Sequence, residues 1–218
     1  MNVISMASTY PVLSDQSIDL SRIKQKAVIK YIHTNGLLHL NDFARLSHSC
    51  SAEGEAKDYH RHVKVFEFKD CIEKVWEAYK TIGPAETCKG SLLGFGLQYS
   101  RNNHKITYHE DDHGEIEVGQ IIILNLRLLW NMISLAVGHE ITEVNETEKY
   151  IKMCYLEGGA SQGFQFIRLK QKEDRCTNVI HETFYKSHSD FRDKRLYPFL
   201  HGQVISEFHK NVLKKLAR

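Results

Sequence analysis

From Ser189 to Arg218 the apolar residues fall on one row. Leu196, Leu200, Val204, Phe208, Val212 and Leu216 recur every four positions, and Phe199, Ile205 and Leu213 widen the row. His201, Gln203, Glu207, Lys210, Asn211, Lys214 and Lys215 fall between them. This spacing predicts an amphipathic helix of about five turns that lays its apolar face on something large. Pro198 suits the first turn, where no backbone donor is needed. Lys214, Lys215 and Arg218 suit the negative end of the helix dipole.

Upstream the period drops from four to two. Val63, Val65, Phe66 and Phe68 predict a first strand, and Leu92–Arg101 a second with Phe95, Leu97 and Tyr99 on one side. Lys105–Glu110 and Glu115–Leu126 flank the turn Asp111-Asp112-His113-Gly114. Val137–Val144 and Lys149–Glu157 flank Asn145–Glu148, and Gly163–Gln171 and Thr177–Tyr185 flank Lys172–Arg175. Ile151, Met153 and Tyr155 alternate with charged or small neighbours, so one face of the sheet is expected to be buried. The total is about six or seven antiparallel strands.

Helical periodicity precedes and interrupts this run. Ile72, Val75, Trp76 and Tyr79 share a helix face, Asp70 with Glu73 reads as a capping box, and Gly83-Pro84 ends the segment. A short turn over Ala85–Lys89 follows. At the N-terminus, residues 1–16 read as a loose arm, Ile18–Ile32 as a helix stopped by Asn35-Gly36, and Leu37–Leu46 as a second apolar cluster. Ser47–Asp58 is small and charged, the composition of a linker. The two N-terminal helices superficially resemble the start of a helix-turn-helix, but Ser51–Asp58 makes a poor third helix and phosphate-binding residues are sparse. The expected division is a helical extension and linker over 1–58 and a main domain over 59–218.

Composition narrows the function classes. The chain has 218 residues, enough for a core without staples. Its 29 Lys plus Arg against 27 Asp plus Glu leave no basic excess to suggest a nucleic-acid partner. The five cysteines show no C-x-x-C pair and no regular spacing, which argues against a disulfide framework or a zinc ribbon and fits reduced thiols in a cytoplasmic protein. No basic region followed by an apolar run marks a secretory signal. Gln120–Val137 is long and greasy, but Arg127 near its centre costs about 2.5–3.5 kcal/mol on insertion scales and its isoleucine run favours a strand, so no membrane-spanning segment is expected.

His109-Glu110-Asp111-Asp112-His113 matches H-E-x-x-H, a zinc-hydrolase pattern that works when a helix brings both imidazoles to one face. Here Asp111, Asp112 and Gly114 disfavour a helix, and on an extended strand positions four apart lie ~13 Å from each other. The glycines of Gly158–Gly163 lack a following Lys-Ser/Thr, and no G-x-S-x-G elbow is present. No metal or cofactor site is expected.

The segments VKVFEFKDCIEKVWEAYKTIGP, NVIHETFYKS and RLYPFLHGQVISEFHKNVLKKL resemble the opening strand and helix, the last strand and the closing helix of the START-like (SRPBCC) superfamily. That group includes polyketide cyclases, lipid-transfer domains and pollen allergens, and the resemblance spans about residues 60–218. It implies an α+β helix-grip fold: a curved antiparallel sheet wrapped on the long C-terminal helix, with an apolar cavity between. It also implies a hydrophobic small-molecule partner such as a lipid, sterol or polyketide. On this reading Leu200, Val204 and Phe208 face the cavity from the helix, and Tyr99, Met153, Tyr155 and Phe164 from the sheet. Each of these equally fits ordinary core packing. Tyr99, Tyr155 and His181 are the candidate polar anchors, since a buried ring with a polar tip needs a partner. The expected activity is binding or carriage. The alternatives are a cavity enzyme of the cyclase or hydrolase type and, behind it, a zinc hydrolase built on the H-E-x-x-H segment.

Overall fold

The computed structural model describes residues 16–50, 58–129 and 132–217. The expected arm over 1–16 lies almost entirely outside them, as does most of the expected linker. Eight antiparallel strands form one sheet: β1 (His60–Phe68), β2 (Leu93–Ser100), β3 (Lys105–Thr107), β4 (Gln120–Leu128), β5 (Ile133–Asn145), β6 (Tyr150–Tyr155), β7 (Gln162–Glu173) and β8 (Cys176–Lys186). Their order across the sheet is β1-β8-β7-β6-β5-β4-β2-β3. The helices are α1 (Lys26–Thr34), α2 (Leu40–Ala44), α3 (Ile72–Thr81), α4 (Pro84–Thr87) and α5 (Tyr197–Leu216), the last entered through a π-helical turn at Arg192–Leu196. β1 stands at one end of the strand order and β2 next to the other, yet both touch α5. The sheet therefore wraps around that helix. Register shifts between Phe95 and Leu97, Ile141 and Glu143, and Gln171 and Glu173 bend the strands to do so.

The greasy stretch 120–137 resolves into β4, a turn, and the start of β5. Alternate residues on both strands are covered from both sides. Ile121 and Ile123 pack beneath Val28, Ile32 and Phe43 of the N-terminal helices. Ile122 and Leu124 face the opposite way, toward α5. A strand covered on both faces needs no polar positions, which accounts for its composition. α1 comes so close to β2 that a Cβ on Gly96 would lie 2.7 Å from the Ile123 carbonyl oxygen and 2.8 Å from the Val28 methyls. Among the described residues no helix is long and apolar enough to cross a membrane.

Five local expectations are corrected. There are eight strands where about six or seven are expected, and the expected Lys105–Glu110 strand shortens to a three-residue β3 that pairs with β2. For the same reason residues 111–114 are not a hairpin tip: β3 and β4 both pair with β2, on opposite sides, and 108–119 is a crossing loop. The Asp70–Glu73 capping box does not form. Asp70 pairs with Lys74 at 3.0 Å, and the free Ile72 N–H donates to Gln171 Oε1 at 2.8 Å. On α5, Phe199 and Leu213 are 61% and 44% exposed instead of joining the buried row. Cys50 and Cys154 are not reduced thiols but form a disulfide. Spacing could not reveal it. Residues 47–49 run beside the end of β6, where Ser49 N–H donates to the Tyr155 carbonyl at 2.7 Å, and this brings together cysteines 104 positions apart.

Candidate ligand cavity

α5 and the sheet are not fully packed against each other. Between them lies a cavity of about 430 Å3. One wall is aliphatic: Ile122, Leu124 and Leu126 from β4, Leu135 and Val137 from β5, and Leu200 and Val204 from α5. These residues face inward by simple periodicity, two along each strand and four along the helix. A second hollow of about 650 Å3 lies between β1 and α5, but it is a surface groove bordered by Lys64, Gln203 and Ser206.

The opposite wall is polar. It carries His139 from β5, Tyr155 from β6, Gln165 from β7, His181 from β8, and Tyr197 and His201 from α5. The rings form a continuous surface. His139 lies 4.6 Å from Tyr155, Tyr197 stacks on His201 at 4.8 Å, and His201 meets His181 edge-on at 5.6 Å. The Tyr155 and Tyr197 hydroxyls bond to each other.

Behind this wall runs a directional chain. His181 Nε2 meets Gln165 Oε1 at 2.9 Å, His181 Nδ1 meets His209 Nε2 at 2.8 Å, and His209 Nδ1 meets the Tyr79 hydroxyl at 2.5 Å. With the Gln165 amide assigned in this orientation, its oxygen only accepts, so His181 Nε2 carries the proton. His181 Nδ1 then accepts from His209 Nε2–H, and His209 Nδ1 accepts from Tyr79. The chain is satisfied with every imidazole neutral.

Burial keeps them so. It lowers His139 to about 4 and His209 to about 3. His181 and His201 are held well below the usual histidine range, first by burial and then by neighbouring imidazoles. Burial also raises the Tyr155 hydroxyl to about 12 and the Cys88 thiol, on the apolar side, to about 12. His139 is half-buried as a residue and lines the cavity. Its Nε2 is buried and has no hydrogen-bond partner among the described residues.

Met153, Tyr155, His181, Leu200, Val204 and Phe208 all line the cavity. Tyr99 and Phe164 do not. The shift between Phe95 and Leu97 puts Phe95 and Tyr99 on opposite faces of β2, although their spacing suggests one. Tyr99 instead packs against Phe43 at 5.7 Å, with its hydroxyl 3.0 Å from His104 Nδ1. On β7 it is Gln165 that turns inward, so Phe164 faces outward and stacks on Phe184 at 4.9 Å. His139, Tyr197, His201 and His209 were missed by the sequence reading, which had placed His201 on the wet face of the helix. A signal existed: Tyr197, His201, Ile205 and His209 form a second row four apart, beside the apolar one. The H-E-x-x-H residues form no helix, and His113 packs edge-on against Phe95 at 4.9 Å.

No protein-family model and no curated protein matches the chain in sequence. Solved structures do match in fold. A norcoclaurine synthase point mutant from Thalictrum flavum, in complex with a transition-state analogue, superimposes with a TM-score of 0.54 at 14% identity, covering 73% of this chain and 94% of that one. Major latex-like protein 151 from Panax ginseng gives 0.53 at 14% identity, covering 73% and 99%. A second Thalictrum flavum norcoclaurine synthase structure, in complex with dopamine and hydroxybenzaldehyde, gives 0.53 at 14% identity over 79% and 96%. With the sheet order and the wrapped C-terminal helix, these likenesses establish that the chain carries the same helix-grip fold as those structures.

Proposed function

We propose that this protein binds an apolar small molecule, such as a lipid, a sterol or a polyketide-like compound, in the cavity beneath α5. The observation that carries the reading is the cavity itself. Protein interiors are packed to the density of organic crystals, with few voids larger than a water molecule. A hollow of about 430 Å3 with one aliphatic wall falls in the size and lining range of small-molecule sites. The neighbour solved with dopamine and hydroxybenzaldehyde supports the view that this fold admits compact organic molecules. Carriage is favoured over turnover because no carboxylate or lysine faces the cavity among the described residues. A cavity enzyme of the cyclase or hydrolase type is the second reading, and the neutral, unpartnered imidazole of His139 is what favours it, as a candidate base.

Native and then denaturing mass spectrometry of the purified protein tests for a co-purified ligand. Binding of the dye 1-anilinonaphthalene-8-sulfonate tests the site. Leu135→Trp places an indole in the aliphatic wall and is expected to weaken dye binding at least tenfold. Unchanged dye affinity in a folded Leu135→Trp protein would reject the cavity as the binding site.

A further inference from the structure

The polar wall has one imbalance, and it points to the chemistry of the ligand. Nearly every polar side chain along it is matched by another. Tyr155 bonds Tyr197, His181 lies between His209 and Gln165, and His201 Nδ1 meets His62 Nδ1 at 3.1 Å. His139 alone among these rings has a fully buried nitrogen with no partner among the described residues. A buried polar atom without a partner is unfavourable, and the residue that carries this one lines the cavity. Resting on the cavity reading above, we infer that the ligand is an uncharged apolar molecule with a hydroxyl group at one end, and that this hydroxyl bonds His139 while the body lies against the leucines of β4 and β5.

Two features select an uncharged end. Among the described residues, the cavity lining contains no Asp, Glu or Lys. Its one permanently charged side chain is Arg192, whose guanidinium donates to the Ala160 carbonyl and the Ser161 hydroxyl beside it. An ammonium at the polar wall would be stripped of water with no counter-charge beside it, and a carboxylate would meet only a guanidinium already engaged with Ala160 and Ser161. The imidazoles there are held neutral by burial and do not supply one. A hydroxyl is also the group that suits His139 in either tautomer, because it both donates and accepts. The Gln165 amide, with its oxygen committed to His181, keeps its N–H groups for a ligand oxygen on the same wall.

Four probes that share one body test the inference on the full chain at neutral pH: naphthalene, 2-naphthol, 2-naphthoate and 2-naphthylmethylamine, each competed against the dye. The expected result is that 2-naphthol binds about tenfold more tightly than the other three, the factor set by one satisfied hydrogen bond. His139→Leu is expected to abolish the advantage of 2-naphthol over naphthalene, and His139→Gln, which can still donate and accept, to retain part of it. Because the readout is a ratio within each protein, it is insensitive to a general loss of affinity. If His139→Leu does not fold, the wild-type ranking and His139→Gln decide. Tightest binding of 2-naphthoate or the amine overturns the inference, as does a 2-naphthol to naphthalene ratio that His139→Leu leaves unchanged. Equal entry of all four probes sinks this inference and leaves the cavity reading standing. Exclusion of all four and of the dye sinks both.

Discussion

Glu207 is one of the side chains through which α5 holds the sheet, and its removal makes a sharp test of how the helix is gripped. Its carboxylate reaches across to the strand entering β2. Oε1 accepts from the backbone N–H groups of Leu92 at 2.9 Å and Leu93 at 2.8 Å. Oε2 accepts from the Ser91 N–H at 2.9 Å and the Ser91 hydroxyl at 3.0 Å. Gly90 leaves the room for this, since a Cβ there would lie 2.1 Å from the carboxylate. From the other side the Arg127 guanidinium donates to the carbonyls of Ser91 at 2.8 Å and Leu93 at 3.0 Å. Segment 90–93 is thus pinned by an anion on its donors and a cation on its acceptors. A hydrogen bond to a charged group contributes about 1.5–3 kcal/mol net. The site is half-buried, and water replaces part of what Glu207→Ala removes, so the expected loss is about 3 kcal/mol rather than the full sum. Glu207→Gln keeps one acceptor oxygen and is expected to lose roughly half as much. In a chain of this size about 3 kcal/mol lowers Tm by roughly 6–12 °C, read by thermal circular dichroism. A fall of less than about 2 °C in Glu207→Ala would show that the carboxylate does not hold α5 to segment 90–93 and refute the reasoning.

Two further outcomes follow from the interior. The Cys50–Cys154 disulfide closes a loop of 104 residues, for which chain entropy predicts about 4–5 kcal/mol of stabilisation. Thiol titration of the denatured, unreduced chain should count three free cysteines, and reductant should lower the wild-type Tm but not that of Cys50→Ser; an unresponsive wild type would refute the bond. His139 and His209 are neutral in the fold with lowered affinities for protons, to about 4 and about 3, so the unfolded chain binds more protons as the solution is acidified. Stability is therefore complete above the ordinary histidine range and is lost as pH falls from about 6.5 through 4, by up to about 3 kcal/mol for His139. A urea midpoint that stays flat across that window would show that these imidazoles are not buried neutral.

How much of this could be read along the chain depends on the range of the physics involved. Alternation and four-residue spacing are local consequences of strand and helix geometry, so α5, α3 and most of the strands were legible, as was the helix-grip plan they compose. Met153, Tyr155, His181, Leu200, Val204 and Phe208 were placed on inward faces by the same rule. The periodicity failed where one residue of bulge reversed a strand, which sent Tyr99 to the convex face. It also failed where a polar side chain took the inward position, as Gln165 does beside Phe164. His201 and Asn211 looked solvated because the helix was judged from its own sequence. Only the wrapped sheet encloses His201, and only the α4 region gives Asn211 its partners, the carbonyls of Thr87 at 2.9 Å and Lys89 at 3.1 Å. The disulfide, the pinning of segment 90–93 and the histidine chain join residues far apart in sequence, and no local pattern encodes such pairings. The chain itself determines which elements form and which face of each is apolar. Tertiary structure alone decides that the helix and sheet leave a cavity between them, and that one buried nitrogen in its wall has no partner among the described residues.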